Sequence, residues 1–127
     1  MRSRFISDIL TGSNRATWFC VGHLGNLGSG WTFDDKTVND TFGGNHGSLR
    51  GGASFAVGMT GRALDLNGQD AWAEVPHDAS MDAMANGLTA ACWFFTRTNT
   101  QEFPSFLWKG SQVGWAPGFL FQTDQHT

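Results

Sequence analysis

Oxygen-bearing side chains set among glycines are the first chemistry visible in this chain. The loop Asp40–Ser48 reads DTFGGNHGS and combines a carboxylate, a carboxamide and backbone carbonyls beside Gly43, Gly44 and Gly47. A hard cation such as Ca2+ takes oxygen ligands of these kinds, which makes Asp40 and Asn45 the candidate metal ligands. The same residue types also build an Asx-capped turn, in which the side-chain oxygens accept local backbone N–H groups. Ca2+ takes six or more oxygens, and this loop alone supplies too few. Asp34, Asp35, Asp65 and Asp70 add to the set only if the fold brings them near.

Aromatic side chains are the second handle. Exposed indole faces stack on sugars, and Trp72 and Trp115 are the candidate ligand-binding residues. Trp31, Trp93 and Trp108 sit in apolar strand contexts and read as core. Trp72 is evenly placed, because Ala71 and Ala73 on the other face of its strand equally suit burial.

Other chemistries lack their residues. The chain has only two glutamates, Glu74 and Glu102. No G-x-S-x-G elbow accompanies its serines and histidines, and no Cys/His grouping has zinc spacing. The glycine pairs lack the G-K-[ST] ending of a phosphate loop. A net charge of −3 with no basic cluster gives no electrostatic footprint for nucleic acid or an anionic membrane. The apolar stretches near the N-terminus are too short for a signal-peptide core or a membrane span, so no signal peptide is visible. Cys92 lies in the apolar run Ala90–Phe95, where a buried free thiol is expected; a Cys20–Cys92 disulfide is the alternative.

The elements that must position these groups are strands. At 127 residues, with 17 Gly, 3 Pro and charged residues at 15%, the chain suits one all-β domain with many tight turns. Arg62–Leu66 and Ala71–Val75 alternate small or apolar with polar residues around Asn67-Gly68, the dipeptide of a tight hairpin turn. Trp31–Phe33 starts a strand, and Ala53–Val57 alternates weakly. Leu88–Thr96, the most apolar run, reads as a strand by its length and its Trp and Phe content. Phe103–Trp108 and Trp115–Gln122 add two more, giving about seven turn-punctuated strands, as in a sandwich or barrel. A turn of helix is expected around Ser80–Ala85. Met1–Leu10 fits a short amphipathic helix capped by Ser3, Thr17–Val21 is a short apolar run, and Gly22–Gly30 is a Gly-rich connector.

Six of these segments, in order, carry a resemblance. GWTFDD (Gly30–Asp35), the D-x-x-G-G-N-H-G loop (Asp40–Gly47), GASF (Gly52–Phe55), GRALDLNGQDAWAEVP (Gly61–Pro76), LTAACWFF (Leu88–Phe95) and FLWKG (Phe106–Gly110) resemble the laminin-G-like domains of the concanavalin A-like lectin/glucanase superfamily. Trp72 stands where the family usually has Tyr, and Ala71 where a second Asp often follows Asp70. The resemblance implies a jelly-roll β-sandwich, a non-catalytic module that recognises carbohydrate or protein at or outside the cell surface, and a calcium ion at the sandwich rim. A glucanase of the superfamily uses an E-x-D-x-E strand, bringing two carboxyls together across the bond; neither Glu74 nor Glu102 sits in such a frame, so no enzyme is expected.

The family's later strands have no counterpart here. The implied organisation is a partial domain over residues 29–127, with residues 1–28 an appendage or an irregular, strand-containing lead-in. A partial sandwich implies that the inner-face residues Trp93, Phe95 and Leu107 lose partners and that sheet edges lie open, giving a marginally stable product. The alternatives to a recognition module are a structural piece with no ligand of its own and, last, the remnant of a glycoside hydrolase-type domain.

Overall fold

A computed structural model describes residues 2–5, 14–23, 26–81, 87–95, 105–109 and 119–122. Among the described residues strand predominates and helix is almost absent, consistent with an all-β fold. The strands are β1 (Arg2–Phe5), β2 (Asn14–His23), β3 (Asn26–Trp31), β4 (Ser48–Arg50), β5 (Ser54–Val57), β6 (Arg62–Leu66), β7 (Trp72–Pro76), β8 (Thr89–Phe95), β9 (Ser105–Lys109) and β10 (Phe119–Gln122). They form a three-stranded sheet of order β1-β7-β4, a β9-β10 pair, and a five-stranded sheet of order β3-β2-β6-β5 in which β8 also pairs with β2. Every described pairing is antiparallel.

The N-terminal segment differs from its expected form. Residues 2–5 are a strand in register with β7, Phe5 opposite Ala73, where a helix was expected. Local amphipathicity does not encode that pairing, which comes from a strand some seventy residues away. Thr17–Val21 lies within β2, which pairs with β3, β6 and β8. The Gly-rich connector holds β3, with Gly30 opposite Cys20 and Trp31 opposite Phe19. The strand expected at Trp31–Phe33 therefore ends at Trp31, because Phe33 takes a left-handed φ of 63° that no strand continues. The expected helical turn is a single 3-10 turn at residues 79–81. Residues 82–85 of that expectation lie outside the described residues.

The largest correction concerns Asn67-Gly68. β6 and β7 flank it as expected, but they do not pair. β6 lies between β2 and β5, whereas β7 lies between β1 and β4. The connection is an arch from one sheet to another rather than a hairpin. Its geometry follows from the Asn67 side chain, whose Oδ1 accepts the N–H groups of Gln69, Asp70 and Ala71 at 2.9, 3.2 and 3.2 Å. Only Gly68 takes a positive φ, 73°, where a type I′ hairpin turn needs two. The hairpin of this region is instead β5–β6, closed by the Gly58 N–H donating to Gly61 O.

All three sheets feed one core. Trp31 of β3, Leu64 and Leu66 of β6, Ala73 and Val75 of β7 and Leu107 of β9 join Phe33, Val38, Ala71 and Met81 in a single buried cluster. The rings of Phe33 and Phe55 stand 6.1 Å apart at 38°. β7 shows why pairing gives one face to this cluster: Ala73 and Val75 are buried while Trp72 and Glu74 alternate outward. Leu107, expected to lose its partners, is fully buried.

Candidate functional site: a closed rim loop and two outward faces

The rim loop follows β3. Its centre is Asp40, only 5% exposed. Asp40 Oδ1 accepts the N–H groups of Gly30, Phe42 and Gly43 at 2.9, 3.1 and 3.0 Å, and Oδ2 accepts that of Asn45 at 3.1 Å. Burial pushes this carboxyl upward more than any other single influence. The Gly30 amide, the Ser29 hydroxyl and the amides of Gly43 and Asn45 together outweigh it and hold the group below its ordinary value. The Asp40 N–H in turn donates to His46 Nδ1 at 3.1 Å.

Asn45 is equally engaged. Its Nδ2 donates to Ser29 Oγ at 2.7 Å and to Ser80 Oγ at 3.3 Å. The Ser80 hydroxyl donates back to Asn45 Oδ1 at 3.4 Å, and the Trp31 indole N–H donates to the Asn45 carbonyl at 2.9 Å. Asn45 thus ties β3 to the 3-10 turn, reaching 16 residues back to Ser29 and 35 residues on to Ser80. Two glycines have no room for a side chain: a Cβ on Gly43 would stand 2.7 Å from Gly28 O, and one on Gly47 would stand 2.7 Å from Glu74 O.

These bonds decide whether the residues fit a calcium ion. Asp40 Oδ1 already accepts three backbone N–H groups and Oδ2 a fourth, and the Ser29 hydroxyl also bonds the carboxylate, so little of its capacity of about four lone-pair directions is left for a cation. The N–H dipoles also point their positive ends where a cation would have to sit. The other acids that the sequence offered are not gathered around it. Asp34 Oδ1 accepts the Arg62 N–H, Asp35 accepts from Thr37 and Asn39, and Asp70 Oδ1 accepts from Gly52 N and Asn67 Nδ2. Among the described residues no three His, Cys, Asp or Glu side chains cluster closely enough to hold a metal. The residues present do not fit the ion; the geometry is that of the Asx-capped turn.

Two outward faces carry the aromatic candidates. On β7, Trp72 lies opposite Arg50 and Glu74 opposite Ser48, and Arg50 Nε meets Glu74 Oε2 at 2.7 Å. Trp72 is half-buried, with Ala71 and Ala73 the buried set behind it. Trp115 and Glu102 lie outside the described residues.

The second face was misread in the sequence. Ala90 and Cys92 of β8 pack toward the core, which turns the opposite phase of the strand outward. Trp93 is 62% exposed and Phe95 61%, where Trp93 read as core. Residue size does not separate the two phases, since the exposed Ala91 is as small as Ala90. Phe95 heads a row across four strands: Arg15 of β2 lies opposite it, Asp65 of β6 opposite Arg15, and Ser54 of β5 opposite Asp65. Directly opposed residues share a face, and strands lie roughly 4.8 Å apart, so Asp65 stands about 10 Å from Phe95 along the sheet.

Cys92 is a free thiol, pushed up to about 11 by burial. It lies opposite Phe19, while Cys20 lies opposite Ala91. The two cysteines therefore do not stand directly opposite each other in this register. No helix among the described residues is long and apolar enough to cross a membrane. No protein family, curated protein or solved structure matches this chain.

Proposed function

We propose that this chain is a non-catalytic recognition module of the jelly-roll sandwich type, acting at or outside the cell surface, that binds carbohydrate across the outer face of β8. The observation that carries this reading is the exposure of Trp93 and Phe95, at 62% and 61%, two residues apart on one strand. Their Cα atoms lie about 7 Å apart along the strand. The two side chains offer aromatic surfaces to the C–H faces of sugar rings, and Ser54 in the same row supplies a hydroxyl for sugar hydroxyls. Support for a non-catalytic role comes from Glu74, which is spent on Arg50. The fold and the extracellular setting rest on the laminin-G-like resemblance.

A second reading has its own support. Phe94, on the other face of β8, is also 49% exposed, and three consecutive exposed aromatics suit a strand that another protein chain covers. This is the structural-piece alternative. A polysaccharide and glycan-array panel separates the two: sugar binding that Trp93→Ala removes supports recognition. Absence of binding, with a concentration-dependent oligomer by light scattering, supports the covered strand.

A further inference from the structure

We infer that the rim loop Thr37–Gly47 is locked without a metal ion, the Asp40 carboxylate acting as an internal anion at the rim where the laminin-G-like resemblance implies calcium. The loop is closed at both ends by backbone bonds, Thr41 N–H to Gly30 O at 2.7 Å and Gly47 N–H to Val38 O at 2.8 Å. Inside that closure, donors from Gly30, Phe42, Gly43 and Asn45 converge on one carboxylate. Two of them, Gly30 and Asn45, lie at residues whose other contacts belong to β3 and the 3-10 turn. The carboxylate therefore organises not only its own turn but the seam between two parts of the fold.

A calcium ion bound here would have to take Asp40 oxygens from these amides and leave buried N–H groups without acceptors. It would also need further oxygens, yet the Asn45 carbonyl accepts from the Trp31 indole and the Asn45 side chain faces Ser29 and Ser80. A metal-bound rim gains order when the ion arrives; this rim is ordered by its own amides. The inference is independent of the binding reading for β8, because its test involves no sugar.

The test uses the full chain with CaCl2 or EDTA. Thermal unfolding should give the same midpoint in both, and Asp40→Asn should lower that midpoint equally in both. In 1H–15N spectra the amides of Phe42, Gly43 and Asn45 should not move on addition of CaCl2, a readout that stands even where unfolding is not cooperative. A saturable calcium-dependent shift of those amides, or a calcium-dependent rise in midpoint that Asp40→Asn abolishes, overturns the inference.

Discussion

Asp34 Oδ1 accepts the backbone N–H of Arg62 at 2.8 Å, so the loop after β3 caps the first residue of β6 across 28 positions of sequence. This bond couples GWTFDD to GRALDL, two of the segments that carry the family resemblance. The same holds elsewhere: Asp70 reaches back to Gly52 of GASF, and Asp40 reaches back to Gly30. The motif acids are thus mutual struts. They specify a frame, and their oxygens are committed to it.

Gly61 tests that coupling. It takes a φ of +61°, and a Cβ there would come within 2.0 Å of Asp34 Oδ1. Gly61→Ala combines left-handed strain with displacement of the Asp34 cap and should cost about 2–4 kcal/mol, read as a lower urea midpoint. Asp34→Ala, which loses only an exposed cap, should cost about 1 kcal/mol.

The paired glycines of the rim loop should behave differently. A Cβ on Gly43 meets Gly28 O at 2.7 Å and Asp40 Oδ2 at 2.8 Å, whereas one on Gly44 meets nothing within 4 Å. Gly43→Ala should destabilise by about 1–3 kcal/mol. Gly44→Ala should stay within about 0.5 kcal/mol of the parent. Denaturant curves on the two variants give the comparison directly.

Much of the strand content was legible because alternation is local. Arg62–Leu66 is a strand over the range its pattern gives, and β7 and β8 lie within a residue of theirs. What local pattern does not contain is the partner. Asn67-Gly68 between two alternating runs reads as a hairpin, yet the flanking strands go to different sheets, since Asn67 spends its side chain on three amides of an arch. Residues 2–5 become a strand for the same non-local reason. At the rim, residue types alone left a cation cage and an Asx-capped turn open, and only the positions of the N–H groups separate them. Trp93 and Phe95 read as inner-face residues from their apolar strand context, yet Ala90 and Cys92 take the core side of β8 and leave both exposed.

The arch makes its own prediction. Asn67→Ala removes the acceptor of the Gln69, Asp70 and Ala71 amides and the 2.7 Å donor to Asp70. By analogy with a lost helix cap, it should cost about 1–2 kcal/mol. The loss should appear as faster hydrogen exchange at those three amides.

Acid should loosen the rim. The folded pKa of Asp40 is lowered, while the unfolded value is about 3.9. The stabilisation is therefore fully present above that unfolded value and is lost as pH falls through the lower folded one. Asp35, Asp70 and Asp78 shift in the same direction. Stability against urea should fall below about pH 4, and Asp40→Asn should flatten part of that fall.

The most direct measurement is tryptophan fluorescence during titration with a polysaccharide from the binding panel, on the parent, Trp93→Ala and Trp72→Ala. Saturable quenching in the parent and in Trp72→Ala, absent from a folded Trp93→Ala, is the expected result. Quenching that survives Trp93→Ala, or that Trp72→Ala alone removes, contradicts recognition through the outer face of β8.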